Sequence, residues 1–127
     1  MAQNSGAHMS KIIITGASSG IGKALALHLA QSGHHVIAVG RNKAALDELS
    51  SSDSNRITTV IADITKSEDR LKIKEALPSD ARGVYLVHSA GIAVPALLAN
   101  MTEEEWDQHF SVNIKAPVFL TNLLLPH

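Results

Sequence analysis

Lys11-Ile12-Ile13-Ile14-Thr15-Gly16-Ala17-Ser18-Ser19-Gly20-Ile21-Gly22 reads as a short apolar strand that ends in a three-glycine turn and runs into a helix. Ile12 to Ile14 form the unbroken aliphatic run of a strand buried on both faces in a parallel sheet. Ile21, Leu25 and Leu29 then recur at helical spacing, and Gly33 marks the helix end. Val36 to Val39 restart a strand, so the glycines lie inside a complete βαβ unit. Glycines there permit a tight turn and close approach of the backbone, while the free N–H groups and positive dipole end of the helix favour an anion. The turn is shaped to hold a pyrophosphate, with a plain βα junction that binds nothing as the competing reading.

The alternation continues along the chain. A short helix is expected around Ala44 to Leu49, a strand around Ile57 to Ile61, and a helix around Glu68 to Leu77 that Pro78 ends. Val84 to Val87 predict a fourth strand. Thr102-Glu103-Glu104-Glu105 is a capping box that opens a last helix, read over Glu104 to Leu125. Repeated βα order with right-handed crossovers predicts an α/β fold: a Rossmann-type, doubly wound parallel sheet of about four βα units, covered on both faces. Met1 to Ser10 are small and polar and are read as a disordered leader or an expression scar, leaving 11–127 as a single NAD(P)-binding domain.

Composition excludes several functions. With 45% apolar, 3% aromatic and 18% charged residues the chain is globular and aliphatic, as buried parallel strands demand. A net charge of −1 and the absence of a basic block leave no electrostatic case for nucleic acid or an anionic membrane. The lack of cysteine removes disulfides, thiolate catalysis and thiolate zinc sites, which suits a cytoplasmic location. No segment is long and apolar enough to span a bilayer. His28, His34, His35 and His109 have no carboxylate partner at ligand spacing, so no metal site is expected.

Ligands of such sheets bind beyond the carboxyl ends of the strands, where the strand order reverses. After the second predicted strand come Gly40, Arg41 and Asn42, beginning eighteen residues after Gly22. A carboxylate there would accept from adenosine ribose hydroxyls; here a small residue followed by a planar cation favours the 2′-phosphate of NADP(H), with NAD(H) left open. Asp63-Ile64 follow the third strand, where Asp63 is equally a ligand for an adenine amino group and a cap. His88-Ser89-Ala90-Gly91 follow the fourth, with small residues that allow backbone approach. His88 reads as a structural group more readily than as a catalyst.

These residues resemble the short-chain dehydrogenase/reductase family. Thr15-Gly16-Ala17-Ser18-Ser19-Gly20-Ile21-Gly22 is similar to its TGxxxGIG signature. His88-Ser89-Ala90-Gly91 stands at its NNAG motif with both asparagines replaced, and Val112-Asn113-Ile114 matches its VN segment. The resemblance implies that Gly16, Gly20 and Gly22 cradle the pyrophosphate, that Ser18, Ser19 and Ile21 line it, and that Thr15 braces the turn. It implies Arg41 for the 2′-phosphate, Asp63 and Ile64 beside adenine, and Ser89, Ala90 and Gly91 beside the ribose. Asn113 takes the place of the catalytic asparagine that orders a water for proton relay; read by itself it is a surface or kink residue near Pro117.

The family's catalytic serine and Tyr-x-x-x-Lys pair have no counterpart here, since Tyr85 lies in a predicted strand and the residue four places on is Ser89. The chain is therefore expected to be the cofactor half of an NADP(H)-dependent oxidoreductase, truncated and inactive alone, whose parent moves hydride between nicotinamide and a carbonyl or alcohol. An unpaired edge beside Val84 to Val87 is expected to drive homo-oligomer formation or pairing with a missing C-terminal half. A dinucleotide-binding module without chemistry and a non-binding interaction fragment are the alternatives.

Overall fold

The structure is a computed structural model that describes residues 9–127. Four strands, β1 (Lys11–Thr15), β2 (His35–Gly40), β3 (Ile57–Ile61) and β4 (Tyr85–Val87), form one parallel sheet in the order β3-β2-β1-β4. The order reverses between β1 and β4. Helices α1 (Gly20–Gln31), α2 (Lys43–Ser52) and α3 (Ser67–Glu75) make the crossovers. After β4 the chain runs without regular structure to a 3-10 turn, Leu98–Asn100, and then into α4 (Glu103–Phe110), a π turn (Ser111–Lys115) and α5 (Ala116–Leu124).

Alternation along β1 sends its side chains to opposite faces, and each face has its own core. Ile12 and Ile14 meet Ala26 and Ala30 of α1 and Leu46 and Leu49 of α2. Ile13 meets Ile73 of α3 and Ala116, Leu120 and Leu124 of α5. This is the doubly wound α/β sheet that the alternation of strands and helices predicts.

Several local expectations shift. The buried stripe of α1 is Gly22, Ala26 and Ala30, whose small side chains let the helix lie close to the sheet, with Leu25 and Leu29 only partly buried. Ile21 is not on it: at 82% exposure it stands at the helix tip. Gly33 does end α1, with φ of +95°, where Gly33 N–H donates to the Ala30 carbonyl and His34 N–H to that of Leu29. The single helix expected over Glu104 to Leu125 is interrupted by the π turn, which sets α5 off from α4 by an extra residue and contains Asn113. Ser10, assigned to the leader, accepts a hydrogen bond from His35 N–H at 3.0 Å and so extends the β1 pairing by one residue. Met1 to His8 lie outside the described residues.

Candidate cofactor site

A cleft of about 400 Å³ opens at the carboxyl ends of the strands, on the line where the order reverses. Its floor is the glycine turn. Gly16 has φ of +65°, and a Cβ there would sit 2.7 Å from Ala90 N, so the turn after β1 lies directly against the chain leaving β4. A Cβ on Gly22 would collide with the Gly16 carbonyl and meet Ser89 Oγ at 3.1 Å, so α1 starts pressed onto the turn. Gly20 has φ of +58° with nothing within 4 Å of its absent side chain, on the open side of the cleft. Two glycines permit contact between chain segments, and the third keeps a left-handed turn free of a side chain where a ligand would approach.

The start of α1 differs from those of α2, α3 and α4. Asn42 Oδ1 caps α2 by accepting from Ala45 N–H at 3.0 Å, and Thr102 and Glu105 cap α4 reciprocally. Helix α3 carries Glu68 and Asp69 in its first turn. Ser19, at the N-cap of α1, makes no side-chain cap bond, and the first turn holds no acid. The N–H donors and positive dipole end of α1 are thus left facing the cleft, which is where they favour an anion.

Thr15 braces this corner from beneath. It is fully buried, and its hydroxyl oxygen accepts the N–H groups of Ser89 at 3.2 Å and Ala90 at 3.1 Å. Ala90 and Gly91 line the cleft opposite Ser18 and Ser19. Ser18 also closes over Gly40, where a Cβ would come within 3.3 Å of its side chain, so Gly40 provides room for Ser18 as well as for any ligand. Arg41 stands exposed at the cleft wall, with no hydrogen bond or ion pair to any other described residue. Its charge contributes to holding Asp63 in the ionised form.

Of the two roles weighed for Asp63, the hydrogen bonds show the cap. One carboxylate oxygen, Oδ1, accepts from the Thr65 hydroxyl at 2.7 Å and from Thr65 N–H at 3.0 Å, an Asx turn at the start of the β3–α3 connection. The Thr65 hydroxyl is the main cause that lowers the Asp63 pKa below the ordinary carboxylate value. The second oxygen, Oδ2, makes no hydrogen bond among the described residues. Asp69 and Arg70, one turn into α3, fix this wall: Asp69 accepts from Asp63 N–H at 2.7 Å, and Arg70 donates to the Ile64 carbonyl at 2.8 Å while lying over the Phe119 ring. The sequence reading missed both, because a bond from a helix back onto the preceding loop leaves no periodic trace.

Asn113 is not in this cleft. It lies across the Ala90–Ile92 segment in a shallower hollow shared with His88 and Pro117, while Gln108 and Val112 on the same helical stretch reach the cofactor side. Its amide is a two-point clamp: Oδ1 accepts from Ile92 N–H at 2.9 Å, and Nδ2 donates to the Ile92 carbonyl at 2.8 Å. Asn113 lies within the π turn and makes this clamp while remaining exposed to solvent. His88 Nε2 lies 2.8 Å from the Thr121 hydroxyl, which joins the end of β4 to α5. Partial desolvation of the ring lowers the His88 pKa below the usual histidine value. Among the described residues no three His, Asp or Glu side chains gather into a metal-binding group.

The fold and the glycine cleft together define a dinucleotide-binding class of α/β protein. Residues 10–127 match the short chain dehydrogenase family model, and the chain belongs to that family. It is 38% identical over 119 residues to 3-oxoacyl-(acyl-carrier-protein) reductase FabG of Thermotoga maritima, an alignment that covers 91% of this chain and 48% of the relative. A short-chain dehydrogenase from Streptomyces avermitilis superposes with a TM-score of 0.87 at 31% identity, over 94% of this chain and 44% of that one. L-Sorbose reductase from Gluconobacter frateurii, solved with NADPH and L-sorbose, superposes with a TM-score of 0.82 at 30% identity over 92% of this chain and 46% of that one. The chain spans about half the length of the curated relatives it matches.

Proposed function

We propose that this chain is the cofactor-binding portion of an NADP(H)-dependent oxidoreductase acting on a small carbonyl or alcohol. The observation that carries the reading is the uncapped, acid-free start of α1 beside an open left-handed Gly20, with the unpaired cation Arg41 on the wall of the same cleft. The cleft residues fit the group: Gly16, Gly20 and Gly22 with the first N–H donors of α1 hold the pyrophosphate, and Ser18 and Ser19 flank it. Ile21 covers its outer side. Arg41 would hold the 2′-phosphate, Asp63 Oδ2 would accept from the adenine amino group beside Ile64, and Ser89, Ala90 and Gly91 would face the ribose. When bound, the dinucleotide supplies the hydride acceptor or donor.

Asn113 acts next to that site through its hold on Ile92, keeping the Ala90–Ile92 wall in place between the cleft and the hollow that carries His88. The exposed outer edge of β4 and the apolar side chains Trp106, Phe110 and Val118 suit association with a further segment of the protein or a second copy. Among the described residues no helix is long and apolar enough to cross a membrane, and a cytoplasmic location is our assignment.

Fluorescence titration of the chain with NADPH and with NADH tests the reading. Tighter binding of NADPH that falls to the NADH level in Arg41→Ala is expected. Equal affinity for the two cofactors in the native chain would remove the NADP(H) assignment, and binding of neither would remove the dinucleotide site.

A further inference from the structure

We propose that His109 is a positioning residue, which in its neutral form straps the loop after β4 onto α4 and so fixes the wall of the cofactor cleft. Ile92 lines the cleft, and the loop that follows it carries no regular backbone pairing before the turn at Leu98. Two side chains four residues apart hold it. Asn113 grips Ile92 through both its N–H and its carbonyl, and His109 Nε2 lies 3.0 Å from Val94 N. Because Asn113 and His109 project from the same side of the helical stretch, they take hold of alternate loop residues.

The partners of the ring dictate its tautomer. His109 Nδ1 lies 2.7 Å from the Glu105 carbonyl, which can only accept, so Nδ1 carries the proton and donates. Val94 N–H can only donate, so Nε2 must present its lone pair. An added proton on Nε2 would set two donors against one another, and the Val94 bond must then break. A charged ring keeps the Glu105 bond and releases the loop. Loop residues Gly91 to Leu97 carry no titratable side chain. On its own helix the neighbouring acid is Glu105, whose carboxylate accepts from Thr102 N–H at 3.0 Å in the capping box. No ion pair between His109 and a carboxylate occurs among the described residues.

Protonation of the ring at Nε2 therefore opens the strap. Its consequence for the cofactor rests on the proposed dinucleotide site; the strap itself does not. The test uses the 127-residue chain labelled with 15N. A through-hydrogen-bond nitrogen–nitrogen coupling between Val94 N and His109 Nε2 is expected while the ring's own nitrogen resonances report it neutral, at the higher pH, and is expected to vanish once added acid has charged it. Absence of the coupling at the higher pH, or a ring that titrates while the Val94 amide resonance stays still, would overturn the proposal.

His109→Gln places an amide oxygen near the Nε2 position, an acceptor that does not titrate. NADP+ affinity is then expected to fall with acid about fivefold more in the native chain than in His109→Gln, the equivalent of one ordinary hydrogen bond. The comparison cancels titration of the nucleotide's own phosphate. Identical pH profiles would reduce His109 to a structural residue. Failure of NADP+ to bind at any pH would count against the dinucleotide site while leaving the coupling to decide the strap.

Discussion

The Thr15 hydroxyl at the end of β1 accepts the Ala90 N–H at 3.1 Å, and this bond joins the two strands at the point where the sheet order reverses. The same oxygen takes the Ser89 N–H, so one buried side chain replaces the ladder bonds that the diverging strands no longer make. Thr15→Val keeps shape and volume but leaves two N–H groups without an acceptor. A loss of about 2 kcal/mol is expected, as buried donors left unmade typically cost. Urea unfolding checks it; an unchanged midpoint would show that the corner is held by something else.

Two glycines with left-handed backbone separate strain from collision. Gly33, with open space around its missing Cβ, is expected to lose about 1 kcal/mol on substitution by alanine. Gly16→Ala adds a clash with the Ala90 backbone that no side-chain rotation relieves, and about 3 kcal/mol or more is expected. Thermal melts of the two variants should differ clearly, and equal shifts would contradict the close approach of β1 and β4.

Asn113 offers a reversal of sign at one atom. In Asn113→Asp the Ile92 N–H keeps an acceptor, but a carboxylate oxygen replaces the Nδ2 donor against the Ile92 carbonyl. The expected result is a drop of about 1 to 2 kcal/mol, with the Ile92 amide resonance moving most. Asn113→Asp matching the native chain in stability would mean that the clamp is not formed in solution.

Acid should weaken the fold in two stages. Desolvation lowers the His88 pKa, so its share of stability is complete above the unfolded value of about 6.5 and disappears as pH falls through the lowered folded value. The Asp63 and Asp69 pKa values are lowered too, Asp63 chiefly by the Thr65 hydroxyl and Asp69 chiefly by Asp63 N–H. Their share is present above about pH 4 and is lost below it, as each carboxylate titrates at its lowered value. Urea midpoints across pH should show both stages, with His88→Asn flattening the upper one. A variant profile that overlays the native one would reject the assignment to His88.

Local chemistry made much of this legible. Ile12 to Ile14 and Val36 to Val39 declare themselves as strands because both faces of the sheet are covered there, Ile57 to Ile61 does so by its β-branched run, and Gly33 and Thr102 declare helix ends. The π turn escaped because Val112, Ala116 and Leu120 recur every four residues, which hides one extra residue. Ile21 shares the helical spacing of Leu25 and Leu29 yet stands exposed, since spacing alone does not tell the tip of a helix from its buried stripe. At the cleft, the residues that touch a ligand lie in short contiguous motifs, whereas those that support them do not. Asp69 on Asp63 and His109 on Val94 are contacts between separate segments, and only the fold brings them together.

The central claim is that the cleft at the reversal point holds an NADP(H) dinucleotide against the start of α1. The most direct measurement is an amide chemical-shift map of the chain on titration with NADP+. The account predicts saturable shifts gathered at Gly16, Gly20, Arg41, Asp63 and Ala90, with the arginine shift missing when NAD+ is used. Shifts that do not saturate, or that gather away from the glycine turn, would contradict it.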